Sequence, residues 1–147
     1  MRTLSFLMLL LMGFACMPTN HAQTPSALHI PNPGSPERAA VLDSARDSID
    51  KEIGRTVQFV VERLAIQGEW AFLYAHMQAS DGGPVDYART PMAEAAEAGF
   101  VSQVYAGLLE KEDGQWVVRA QAIGPTDMAW QPWAADYGAP EALFKLD

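Results

Sequence analysis

Apolar residues change their spacing several times along this chain, and each change marks an element. Residues 4–15 are apolar almost without a break (Leu4, Phe6, Leu7, Met8, Leu9, Leu10, Leu11, Met12 and Phe14) and have no polar face. From Ser35 the pattern turns helical. Leu42, Ala45, Ile49 and Ile53 form one stripe with Val41 beside it, and Arg38, Asp43, Arg46, Asp47, Asp50 and Lys51 fill the remainder. Ser35 suits an N-cap, Pro36 the first helical position, Glu37 the positive end of the dipole and Gly54 the stop. Residues 56–66 are rich in β-branched and aromatic types, with an alternation that slips near Glu62 and Arg63 as a bulge requires. After the tight turn Gln67-Gly68-Glu69, residues 70–77 read as a return strand. Trp70, Phe72, Tyr74 and His76 take one side and Ala71, Leu73, Ala75 and Met77 the other, so this strand is expected to be central and covered on both faces.

Residues 78–90 have no regular spacing and form an insert. Thr90 is placed to cap a short helix over 91–98, closed by Gly99. Two further strands, 101–111 and 115–123, flank the hairpin turn Glu112-Asp113-Gly114; in the second, Trp116, Val118, Ala120 and Ala122 alternate with Gln115, Val117, Arg119 and Gln121. In the tail, Trp130, Trp133 and Tyr137 fall at helical spacing, and 139–144 reads as a docking turn. The expected fold class is α+β. One long N-terminal helix packs on a curved four-stranded antiparallel sheet, with a loop and short-helix insert and short C-terminal helices, all within a single domain over 36–147.

The order of elements over 36–123 resembles the cystatin-like and NTF2-like superfamilies, as does the hairpin Leu108-Leu109-Glu110-Lys111-Glu112-Asp113-Gly114-Gln115-Trp116-Val117-Val118. The runs Val57-Gln58-Phe59-Val60-Val61, Gln67-Gly68-Glu69-Trp70-Ala71-Phe72 and Ile123-Gly124-Pro125-Thr126-Asp127, with Trp133 and Tyr137-Gly138-Ala139-Pro140, are also similar to small exported bacterial proteins of no assigned function. The second resemblance carries no catalytic residues with it. The NTF2-like one implies a small-ligand pocket on the concave face of the sheet, lined by Trp70, Phe72, Tyr74 and Trp116.

The first apolar run changes the picture of where the chain works. About twelve helical residues span roughly 18 Å, too short for a bilayer core. Arg2 before the run and small residues after it make a secretory signal over 1–22. Two exits are open. Asn20-His21-Ala22 before Gln23 suits signal peptidase. Met12-Gly13-Phe14-Ala15-Cys16 suits a lipobox, with Gly13 where Leu is preferred, and would place a lipid on Cys16. The product is then periplasmic, or a lipoprotein anchored at the outer membrane. Residues 23–35, with Pro25, Pro31 and Pro33, read as a flexible linker. Cys16 is the only cysteine, so the mature domain has no disulfide or thiol chemistry. Removing residues 1–22 deletes Arg2 and no acid, leaving 9 basic and 18 acidic residues and a net charge of about −9. Such a surface disfavours nucleic acid and anionic lipid and favours a basic protein partner.

Candidate chemistry is sparse. His29 and His76 are the histidines left after export, with no metal-ligand spacing, so no metal or cofactor is expected. A catalytic triad would have to use His76, and no serine sits in a glycine-flanked elbow. His76 also fits a satisfied, half-buried structural residue. Glu62 with Glu69, and Asp81 with Asp86, are candidate carboxylate pairs or simply solvated acids. Gly82-Gly83-Pro84 lacks the lysine and helix of a phosphate loop. Binding falls to two features. One is the insert, with Asp86, Tyr87 and Arg89, of which Tyr87 and Arg89 are residue types common at interfaces; alternatively Tyr87 packs inward and Arg89 pairs with an acid. The other is Trp133, if exposed, among the tail aromatics that otherwise form core. The functional expectation is a non-enzymatic exported binding protein, of the inhibitor or immunity-factor kind, directed at a cationic envelope-acting protein. The alternatives are the NTF2-like ligand pocket and an enzyme using His76 with a carboxylate.

Overall fold

The computed structural model describes residues 26–146. The expected signal segment 1–22, with Cys16, and the first residues of the expected linker lie outside them. The domain is α+β. Helix α1 (Pro36–Ile53) packs on an open antiparallel sheet in the order β1 (Gln58–Gln67), β2 (Trp70–Gln78), β3 (Val104–Glu112) and β4 (Gln115–Ile123). Ser35 accepts a hydrogen bond from Arg38 N at 3.2 Å, and Gly54 closes the helix at φ 65, its N–H donating to Asp50 O. A cap of the Ser35 kind is worth about 1 kcal/mol. Val41, Ala45, Ile49 and Ile53 are the buried stripe. They meet Leu64, Ile66, Leu73, Tyr105, Leu109 and Trp116 in one core. Ser44 Oγ donates to Trp116 O at 3.0 Å and fixes the helix over β4.

Two bulges keep the outer strands facing this core. In β1 the register slips between Val61 and Arg63, leaving Glu62 unpaired. Phe59 and Val61 before the slip, and Leu64 and Ile66 after it, thereby all reach α1. In β4 Leu108 pairs with Ala120 and Leu109 with Val118, so Arg119 is the extra residue. The alternation expected over 115–123 is therefore broken. Trp116, Val118 and Ile123 belong to the α1 core, whereas Ala120 and Ala122 face the other side. Asp113 and Gly114 both take positive φ, 48 and 79, as the tight hairpin turn demands.

The second face of the sheet has its own core. Phe72, Ala106 and Leu108 are covered by Trp130, Trp133 and Leu143, with Leu28, Trp70, Tyr74 and Phe144 at the margins. Both chain ends supply this cover. Residues 28–35, expected as part of a flexible linker, strap the sheet. His29 exchanges two backbone hydrogen bonds with Ile66, each 2.8 Å, and its ring meets Glu37 at 3.0 Å. The tail helix is shorter than its aromatic spacing suggests, covering only α3 (Trp133–Tyr137), which follows the short insert helix α2 (Ala93–Glu97) in chain order. Trp130 precedes α3 and is buried, as is Trp133, but Tyr137 is exposed. A 3-10 turn, Glu141–Phe144, seats Leu143 at 0% exposure. Arg63 Nε ties this turn down by donating to Leu143 O at 3.2 Å.

Thr90 does not cap the insert helix. Its hydroxyl donates to Tyr87 O at 2.7 Å and accepts from Met92 N at 3.1 Å, so it closes the preceding turn, and α2 begins at Ala93. Residues 101–103 likewise stay out of the strand. Ser102 Oγ donates to Pro125 O, and the Gln103 amide bonds both the N–H and the C=O of Val85.

Tyr105 tests this packing. Its ring lies over Gly107, where a Cβ would fall 2.6 Å from the hydroxyl and 2.8 Å from the ring, and the residue is fully buried. Gly107→Ala should therefore cost about 1–3 kcal/mol through overpacking. Leu143→Ala should cost about 2–5 kcal/mol if the tail truly closes the second core. Urea denaturation measures both, and an unchanged Leu143→Ala midpoint would mean that the tail is not part of the folded unit.

Candidate functional site

The tail covers only part of the second face. Val60, His76 and Val104 stand side by side across β1, β2 and β3, outside the second core cluster. They form a shelf at the end of the sheet where the insert and the 124–130 loop also emerge. Val60 is 48% exposed and the His76 side chain 48%. The bulge turns Glu62 onto this shelf, where its Oε1 lies 2.8 Å from His76 Nε2. On one flank a groove of about 410 Å3 runs beside the β1 edge between Ile30, Arg38, Glu62, Tyr74 and Leu146. On the other flank a groove of about 490 Å3 lies between Tyr74, Val104, Pro125, Asp127, Met128 and Trp130. Tyr74 borders both.

The His76–Glu62 pair could serve as a base held by a carboxylate, as could His29 with Glu37 on the strap, but only the first stands between two grooves. Both partners are half exposed, so the pair contributes on the order of 0–1 kcal/mol to stability. The other carboxylate candidates are not pairs. Glu69 sits in the first hairpin turn, away from the bulge. Asp81 and Asp86 each accept from a backbone N–H two residues on, Gly83 at 2.9 Å and Ala88 at 2.8 Å, which is turn chemistry. Among the described residues, no three metal-ligating side chains form a group.

The insert residues divide. Tyr87 is 6% exposed, packs into the α1 core and donates its hydroxyl to Ser102 O at 2.9 Å. Burial pushes its phenol up to about 12. Asp86 and Arg89 are exposed, and Arg89 holds φ 58. Trp133 is 8% exposed and belongs to the second core. Tyr87 and Trp133 are therefore packing residues, and only Asp86 and Arg89 of the four binding candidates face solvent. Sequence reading missed Arg55. Its guanidinium donates to Asp86 O at 3.0 Å and Ala88 O at 2.6 Å, binding the insert to the end of α1. No local pattern marks it, because the contact spans residues distant in sequence. The four aromatics proposed to line one ligand pocket lie on opposite faces. Phe72 is sealed under Trp130 and Phe144, while Trp116 lies under α1 beside Lys111.

Comparison with family models, curated proteins and solved structures gives no match for this chain.

Burial of Tyr87 carries a pH signature. Its folded pKa is raised to about 12 from 10.0, so its contribution is complete below pH 10. Above that, the unfolded phenol ionises first, and stability falls as pH rises towards 12. Tyr105 behaves alike, pushed well above the usual phenol range by burial first and the Glu52 charge second. Urea midpoints measured from pH 9 to 12 should decline, and Tyr87→Phe should flatten that decline. The same variant should lose about 1 kcal/mol at neutral pH with the Ser102 hydrogen bond.

Proposed function

We propose that the chain is an exported, non-enzymatic binding protein that recognises a basic protein, in the manner of an inhibitor or immunity factor against a cationic protein of the cell envelope. In this reading the sheet curves over the long N-terminal helix as in cystatin-like domains. The observation that carries the proposal is how the cations are used. Arg46 is held by Asp43 at 2.9 Å and lies over the Phe59 ring. Arg55 and Arg63 donate to backbone carbonyls. Lys111 lies over Trp116, and Arg119 bridges Glu110 and Glu112. Lys51, Arg89 and Lys145 are exposed, but they are outnumbered by the exposed acids Asp47, Asp50, Glu94, Glu97, Asp127 and Asp136. With 18 acidic against 10 basic residues in the whole chain, the outward field is negative and would speed encounter with a positively charged partner.

The polarity of the domain agrees with such a role. Ser26 lies against Gly68, at the hairpin-turn end of the sheet. A chain arriving from a signal or a lipidated Cys16 therefore joins the pole opposite the shelf and the insert, which leaves that end turned outward. Localisation follows the signal: periplasmic if cut before Gln23, outer-membrane-anchored if cut before Cys16.

Affinity capture from an envelope extract at low salt should retain a basic protein and release it as salt is raised. No retained partner, or retention indifferent to salt, would contradict the proposal. Palmitate labelling of the expressed protein, lost on Cys16→Ala, would establish the anchored form.

A second reading, an enzyme with His76 as base and Glu62 as its orienting acid, rests on their 2.8 Å contact between two grooves. His76→Ala should leave partner binding and folding intact if the first reading holds.

A further inference from the structure

We infer that the groove between Tyr74, Val104, Met128 and Trp130 is where the partner docks, and that its docking element is an apolar side chain flanked by lysines or arginines. The inference rests on the cationic-partner reading and gives it a place. Three observations converge there.

The first is exposed apolar surface. Met128, which lines the groove, is 57% exposed. A flexible thioether beside an aromatic floor is an adaptable contact surface. At about 490 Å3 the groove is within the ~300–1,000 Å3 span of binding pockets and large enough for an anchoring side chain.

The second is charge. Asp127 is the charged residue of this groove. It is exposed, and the whole chain carries 18 acidic against 10 basic residues. An apolar floor with one exposed carboxylate at its edge, on a domain of negative net charge, complements an apolar anchor with basic neighbours and opposes an acidic or phosphorylated ligand.

The third is the Trp130 indole N–H, which is buried and has no acceptor among the described residues. It marks this wall of the second core as incompletely satisfied and gives the site its own reporter.

The test uses the exported protein, labelled with 15N, and two synthetic peptides of equal positive charge. One carries leucine and tryptophan among its lysines; the other carries serines in their place. The apolar peptide should shift the Trp130 indole N–H and the amides of Tyr74, Val104 and Met128. Met128→Ser should weaken that peptide about tenfold and leave the serine peptide unchanged. Asp127→Asn should weaken it about threefold. If both peptides instead shift Asp43, Asp47 and Asp50 on α1, the groove is not the docking site and the cationic-partner reading stands alone. If neither binds, both fall. If the protein self-associates and Met128→Ser abolishes it, the occupant is a second copy, and the inference is overturned.

Discussion

A sheet that is apolar on both faces has to be covered twice. β2 places Ala71, Leu73, Ala75 and Met77 on one side and Trp70, Phe72 and Tyr74 on the other, and α1 can bury only the first set. The rest of the architecture answers that constraint. The N-terminal strap and the C-terminal tail are drawn onto the second face because Phe72 and Leu108 would otherwise lie in water, at about 1.5–3 kcal/mol each. Arg63 and the His29–Ile66 bridge lock those ends in place through backbone groups, which leaves the side-chain surface free to be acidic.

The second cover stops short of the sheet's end, and the functional argument begins there. Val60, His76 and Val104 lie outside the second core, between two grooves and beside the loops that emerge from that pole. The insert adds bulk on the α1 side, held by Arg55 and Tyr87, so this pole is built up on one face and open on the other.

What could be read from the sequence was what is local. The helix is written in its stripe and its two caps, and the second hairpin in Asp113-Gly114, whose positive φ angles few other pairs would accept. The bulge at Glu62 showed because a charged pair interrupts an apolar alternation. The bulge at Arg119 left no such mark. Val117 and Val118 suit either face, and Ala120 and Ala122 are too small to prefer one, so the slip is set by pairing with Leu108 and Leu109. The strap looked like a linker because its proline-rich composition hides a single pairing with a distant strand. Thr90 looked like a cap because its backward bond to Tyr87 depends on the insert's own turn. The site was less legible still. Glu62 and His76 meet only through strand register and bulge, and the burial of Tyr87 and Trp133 depends on where the insert and tail come to rest.

Hydroxyl-radical footprinting of the domain, read by mass spectrometry, is the most direct measurement of the double cover and its gap. The account predicts rapid labelling of Phe100, Met128 and His76, with Phe72, Tyr105, Trp130 and Trp133 protected until the domain unfolds. Labelling of Trp130 and Trp133 as fast as Phe100 would contradict it, because the tail would then be off the sheet and the shelf would have no boundary.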